Sequence, residues 1–219
     1  MTSATLAQAL QQWELTVTDT QRELLERYCQ QLWTWNERIN LTRHDTYDKF
    51  VARDLRDAVE LAKLLEADEE VLDVGSGGGV PGVLLAILRP DIQVTLCEST
   101  GKKAGVLKQI VRELGLPTPV HGERAEKVLE DFRFSAVTAR AVGPIAKMLR
   151  WFEGHWPSIG RLLLIKGPKW VEERGEARHF GLLANLELRR LSAYPLPGTE
   201  SESVILGIWP KSSNLSNRY

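Results

Sequence analysis

Apolar side chains recur at spacings of three and four through the first third of the chain, then gather into short runs separated by polar stretches. Leu25, Tyr28, Leu32, Trp35 and Ile39 fall on one face of a helix, which Thr20 and Glu23 would open as a capping box. Val51, Leu55, Val59, Ala62 and Leu65 repeat the pattern after a cap at Asp45 or Thr46. The acidic cluster Glu66, Asp68, Glu69 and Glu70 then separates this second helix from the first strand-like run. Residues 1–66 are therefore expected to form a helical cap, and residues 67–219 one compact domain. In the latter, runs at Val71–Val74, Gln93–Cys97, Pro119–His121, Ser135–Ala139 and Arg161–Ile165 alternate with helical stretches, predicting a doubly wound, Rossmann-like α/β sheet. Leu186–Tyr194 and Ser203–Trp209 read as a C-terminal antiparallel strand pair joined by a turn at 195–200. Lys211–Tyr219 is polar and expected to fray.

Composition narrows the function classes. At 219 residues and 43% hydrophobic, the chain has ample material for a core. It contains no apolar run near the roughly 20 residues that span a bilayer, and its first residues lack a basic and apolar export signal. A cytoplasmic address is expected. Cys29 and Cys97 stand far apart with no Cys or His at ligand spacing, so they read as buried thiols, with no disulfide and no metal. The net charge of -1 hides an uneven distribution. Residues 1–70 hold 8 Lys+Arg against 14 Asp+Glu, and residues 71–219 hold 20 against 15. The positive excess thus lies with the strand-and-helix part, which permits a phosphate-rich partner without demanding one.

The chemistry begins where the first strand ends. Val-Leu-Asp-Val-Gly-Ser-Gly-Gly-Gly-Val-Pro-Gly, residues 71–82, is a buried strand opening into a glycine-packed turn. Gly75, Gly77 and Gly79 allow a sharp bend with no Cβ between ligand and backbone. Asp73 selects among ligands: an acid beside the loop repels a pyrophosphate but suits the sulfonium and ammonium of S-adenosylmethionine. Ligands of such sheets bind beyond the carboxyl ends of the strands, which directs attention to Val80, Glu98, Ser99, Thr100, Ala125, Glu126, Arg140 and Lys166. Glu98 can accept both hydroxyls of a ribose. Backbone groups at Ala125 and Glu126 would then meet the adenine edge. Arg140 is expected at the ligand-facing rim, binding phosphate or carboxylate or pairing with Asp73 or Glu126. Trp33 and Trp35, near Arg38 and Arg43, read better as core than as base-stacking platforms. His44, His121, His155 and His179 have no partner at catalytic or ligand spacing and are assigned no role.

The glycine run, followed in order by Glu-Ser-Thr-Gly-Lys-Lys, Glu-Arg-Ala-Glu, Thr-Ala-Arg-Ala and Leu-Ile-Lys-Gly, resembles the bacterial small-subunit ribosomal RNA guanine-N7 methyltransferases, the RsmG or GidB family. Residues 35–42 (Trp-Asn-Glu-Arg-Ile-Asn-Leu-Thr) and 50–57 (Phe-Val-Ala-Arg-Asp-Leu-Arg-Asp) are similar to its N-terminal helices, so the likeness covers about 20–210. It implies S-adenosylmethionine contacts at Gly75, Val80, Glu98 to Thr100, Ala125, Glu126 and Arg140, and places Arg53 and Lys166 near 16S ribosomal RNA. The chain departs from the family at Asp54, where His is usual, and at Ala58, where Ser is usual. These departures bear on RNA contacts from that helix and leave the cofactor positions intact.

Guanine N7 carries an in-plane lone pair, so the implied transfer needs no base. Arg140 and Lys166 are accordingly expected to orient cofactor and RNA, in a protein acting as a monomer on 16S RNA or the small subunit. Two alternatives stand beside this reading. Gly77, Gly79 and Gly82 satisfy the G-x-G-x-x-G spacing of an NAD-dependent dehydrogenase, against which Asp73 and the terminal strand pair both speak. A non-catalytic RNA-binding or assembly factor on the same fold would have no physical need for the cofactor positions.

Overall fold

The computed structural model describes residues 3–196 and 200–211. Seven strands form one sheet in the order β3-β2-β1-β4-β5-β7-β6. β1 (Glu70–Val74), β2 (Gln93–Cys97), β3 (Val120–His121), β4 (Phe134–Arg140) and β5 (Ile159–Lys166) run parallel. β7 (Glu202–Pro210) pairs antiparallel with β5 and with the edge strand β6 (Leu186–Pro195). The expected strands are all present, most of them a residue or two longer at their ends, and β3 shorter by one. The expected turn at 195–200 lies partly outside the described residues, as do residues 212–219 of the polar tail.

Alternation along the parallel strands divides the core between two faces. Val71, Val94, Leu96, Ala136, Leu163 and Ile165 point to one side. There they pack against α5 (Gly82–Leu88), α6 (Gly101–Leu114) and the N-terminal helices. Leu72, Val74, Val137, Ala139, Leu162 and Leu164 point to the other, against α7 (Ala125–Asp131) and α8 (Ile145–Phe152), where Ala177 of α9 (Trp170–His179) also packs. The N-terminal helices are thus part of a sheet-face core: Leu6, Leu25, Leu32, Phe50 and Leu55 are fully buried in it. No helix among the described residues is long and apolar enough to cross a membrane.

Two features of the cap differ from the sequence expectation. α2 (Asp19–Asn36) opens at Thr18 with Gln21, a capping box of the same spacing placed two residues earlier than Thr20 and Glu23; Thr18 accepts from Gln21 N–H and Gln21 from Thr18 N–H. A short helix, α1 (Leu6–Gln12), precedes it under a Thr5 capping box. The second helix does start at Thr46, yet it is not uniform. α3 (Tyr47–Lys49) and α4 (Arg56–Ala62) are joined by a π-helical stretch, Phe50–Leu55. The wider turn buries Phe50, Val51, Ala52, Asp54 and Leu55 together, so it brings an acid into the interior. The acidic cluster before β1 is also more than a separator. Glu69 is buried and forms a two-pronged ion pair with Arg161 of β5 at 2.9 and 2.7 Å.

Candidate active site

The sheet reverses its winding between β1 and β4, and the crevice beyond their carboxyl ends is where ligands of such sheets bind. Gly75 leaves β1 at φ +68° and Ala141 leaves β4 at φ +55°, a left-handed conformation rare for a residue with a side chain. A Cβ on Gly75 would stand 2.7 Å from Val142 Cγ2, so the two loops touch because one of them has no side chain. Their meeting point divides a cleft into two lobes. The first, of about 400 Å³, is lined by Val74, Gly75, Cys97, Ser99, Glu123, Arg124, Ala125, Glu126, Val142, Lys147 and Trp151. The second, of about 540 Å³, has Gly75–Gly78, Val80, Lys103, Arg140 and Ala141 on one side and Leu32, residues 40–44 and Asp54 of the cap on the other.

Glu98 lines neither lobe and stands behind the glycine loop, which it ties to the β2 turn. Its Oε2 accepts from Gly77 N–H at 3.0 Å and its Oε1 from Thr100 N–H at 2.7 Å, and the residue is only 6% exposed. Each oxygen keeps a second lone pair. Ser99, Ala125 and Glu126 stand together in the first lobe, as the sequence placed them, with Gly75 shared by both lobes and Val80 in the second. The remaining glycines shape the loop. A Cβ at Gly79 would strike Val83 at 2.6 Å, and one at Gly82 would overlap Leu96. The cap holds the loop from above, where Tyr28 donates to Gly78 O at 3.0 Å.

Asp73 does not reach the cleft, contrary to the expectation that it would help to hold a cationic ligand. It is fully buried beneath the loop, where Thr138 Oγ1 donates to it at 3.0 Å and the Gly82 N–H at 3.2 Å. Its role is to anchor the start of α5. Burial outweighs these bonds and raises its pKa from 3.8 to about 6. An acid whose pKa is raised on folding costs nothing below its unfolded value and weakens the fold as pH climbs through the folded one. Asp73→Asn, which never ionises, should therefore gain on the natural chain by about 2–3 kcal/mol between pH 4 and pH 7. Urea unfolding at the two pH values measures this; an unchanged difference would clear the carboxylate of the penalty.

Arg140 is at the rim of the second lobe, but neither Asp73 nor Glu126 is its partner. Nη2 meets Asp54 Oδ1 at 2.6 Å and Nε meets Asp57 Oδ2 at 3.1 Å. Tyr194 donates to Asp57 at 2.7 Å, and His44 Nδ1 lies 2.7 Å from Asp54 Oδ1. Burial raises the pKa of Asp57, with Arg140 acting against the rise. Arg140 Nη1 and Asp54 Oδ2 are buried without a hydrogen-bond partner among the described residues, so the network keeps one donor and one acceptor unmet inside the fold.

Lys166 also departs from expectation. Its ammonium is bound to Gly143 O at 2.5 Å and to Glu173 Oε2 at 2.6 Å, and it lines neither lobe. The same Glu173 oxygen accepts from Ile145 N–H at 2.9 Å. Lys166 thus braces the loop that carries Ala141 and Val142. Arg53, half-buried on the π-helical turn, lines neither lobe. Sequence reasoning missed Lys103, Lys147, Trp151 and the 40–44 segment as cleft walls. Lys103 and residues 40–42 lie inside motifs already noted, with Arg43 and His44 directly after the latter, whereas Lys147 and Trp151 become neighbours only through the fold. Both cysteines are buried, and burial with nearby carboxylates pushes the Cys97 thiol up to about 12.

The chain is similar to several known proteins. The family described as rRNA small subunit methyltransferase G, GidB, matches residues 21–191. A ribosomal RNA small subunit methyltransferase G from Rhodopirellula baltica is 55% identical over 202 residues, covering 92% of this chain and 87% of that protein. One from Chromobacterium violaceum is 38% identical over 78% of this chain and 82% of its own. Among solved structures, a mutant of MtNAS in complex with S-adenosylmethionine has a TM-score of 0.55 at 14% identity, covering 86% of this chain and 73% of that one. A putative rRNA methylase from Clostridium thermocellum has 0.52 at 14%, covering 74% and 97%. At these identities the solved structures speak for the fold alone.

Proposed function

The chain belongs to the rRNA small subunit methyltransferase G family, and we propose that it methylates N7 of a guanine in 16S ribosomal RNA with S-adenosylmethionine as donor. The observation that carries the reading is the two-lobed cleft that meets at Gly75, with Glu98 bonded to Gly77 N–H of the same loop. Its residues fit such a donor: a first lobe of nucleoside size, an acid, Glu98, bonded to the loop between the lobes, and a second lobe bordered by Arg140 and Asp54. When bound, the cofactor supplies a sulfonium methyl group, which N7 accepts through its lone pair while the electrons of the broken C–S bond stay on sulfur.

No proton leaves N7 in this transfer, so the chain needs no general base. Its residues have to position. Glu98 takes the ribose hydroxyls with the lone pairs its backbone bonds leave free, and Ala125 and Glu126 border the adenine. Arg140, fixed by two carboxylates, holds the charge-bearing end of the donor at the rim where the base enters. Orientation of this kind supplies several kcal/mol of barrier lowering. Arg43 and Lys103, beside the second lobe, offer positive charge to RNA phosphates. Lys166 serves through the loop it braces, and the protein works as a monomer in the cytoplasm, where its substrate is found.

The test is methylation of small-subunit RNA from a strain lacking this modification, followed by mapping of the labelled base. N7-methylguanine at a single site is the expected product. Label on another base, or on protein, would overturn the assignment. An NAD-dependent dehydrogenase would instead bind NAD and ignore S-adenosylmethionine in equilibrium dialysis, and an assembly factor would bind RNA and transfer nothing.

A further inference from the structure

Resting on the methyl-transfer reading, we propose that His44 reads the target base, its outward Nε2 accepting a hydrogen bond from the N1–H and 2-amino edge of guanine. His44 stands on the cap side of the second lobe, across from Gly75–Gly78 and Arg140. Its backbone is pinned twice: Trp33 Nε1 donates to His44 O at 2.9 Å, and His44 N–H donates to Thr42 Oγ1 at 2.9 Å. The segment before it is pinned as well, since Asn36 Oδ1 accepts from Leu41 N–H at 2.8 Å and from Thr42 N–H at 2.9 Å. The ring is then fixed by Asp54, which the π-helical turn carries inward.

That bond decides which nitrogen faces the lobe. Asp54 Oδ1 receives Arg140 Nη2 at 2.6 Å and His44 Nδ1 at 2.7 Å. A carboxylate paired with a guanidinium accepts hydrogens and gives none, so in the neutral imidazole the proton sits on Nδ1. Nε2 is left with its lone pair. It has no partner among the described residues, and the side chain is 26% exposed, on a residue whose inner nitrogen is turned to a carboxylate only 2% exposed. An outward acceptor held this firmly matches a base that presents donors. Guanine offers N1–H and a 2-amino group side by side on the edge remote from N7, whereas adenine at the same two positions has the N1 lone pair and a C2–H, its own amino group lying on the other side of N1.

The test compares methyl transfer to small-subunit RNA by the natural chain, His44→Leu and His44→Gln, with S-adenosylhomocysteine affinity measured by calorimetry on each. His44→Leu should lower kcat/KM for RNA by about 10- to 100-fold, mainly through KM, because the base's donors then go unpaired. Its S-adenosylhomocysteine affinity should stay within about twofold, and His44→Gln, whose side-chain carbonyl is also an acceptor, should recover most of the loss. A Leu variant with unchanged kcat/KM would overturn the proposal. So would a Gln variant as poor as the Leu variant, or a Leu variant that also loses S-adenosylhomocysteine. A natural chain that labels no guanine at all would remove the methyl-transfer reading itself, and the inference with it.

Discussion

Arg140→Met should lower the stability of the fold by about 3–5 kcal/mol at pH 7.5 and abolish methyl transfer. The guanidinium is the cation that Asp54 and Asp57 both touch, at 2.6 and 3.1 Å, and these carboxylates are 2% and 10% exposed. A methionine fills much of the volume but leaves two buried acids facing one another, which is the costly way to break a buried pair. Against a typical total of about 5–15 kcal/mol the loss is large. Its pH dependence identifies the cause. Burial already raises the pKa of Asp57, and loss of Arg140 removes the main influence holding it down. A carboxyl raised further stabilises the fold only when protonated, so the deficit should shrink as the pH falls from 8 towards 5. Adding Asp57→Asn should recover part of it at neutral pH. Urea midpoints for the natural chain and both variants decide the matter; a loss below about 1 kcal/mol, or one constant with pH, would mean that the guanidinium is dispensable to the interior.

The strands and the glycine loop were legible in the sequence because each is encoded within a few neighbouring residues. Val71–Val74 is an apolar run followed by glycines, and Gly75 is found at positive φ where the sharp bend was inferred. The first-lobe residues Ser99, Ala125 and Glu126 come from one topological rule, that ligands lie beyond the ends of parallel strands. Pairing between distant segments was not legible. Arg140 meets acids more than eighty residues earlier, and nothing in the local pattern around Asp54 distinguishes a π-helical turn from an ordinary one. Lys166 looked available because a lysine at a strand end normally faces solvent; Glu173 and Gly143 O take its charge instead. His44 was assigned no role for the same reason. Its partner is ten residues away on another element, and no motif spans the two.

Glu98 carries the second large effect. Glu98→Ala should weaken S-adenosylhomocysteine binding at least about 100-fold, since hydrogen bonds to a charged acceptor are each worth roughly 1.5–3 kcal/mol and two ribose hydroxyls lose theirs. The loss has a second source. The same carboxylate ties Gly77 N–H to Thr100 N–H, so its removal frees the glycine loop from the β2 turn before any ligand arrives. Glu98→Gln separates the two contributions. An amide oxygen can still accept from one of these N–H groups, but the NH2 then faces the other donor and the group is no longer charged. The Gln variant should therefore bind better than Ala and still fall about tenfold short of the natural chain. Because Gly77 lines the second lobe and Thr100 is exposed, water can satisfy both N–H groups in the variants, and the fold should lose no more than about 1–2 kcal/mol. Calorimetry with S-adenosylhomocysteine beside urea unfolding reads both quantities. An Ala variant binding within about threefold of the natural chain would show that the junction between the lobes does not hold the sugar, and the placement of the donor across Gly75 would have to be abandoned.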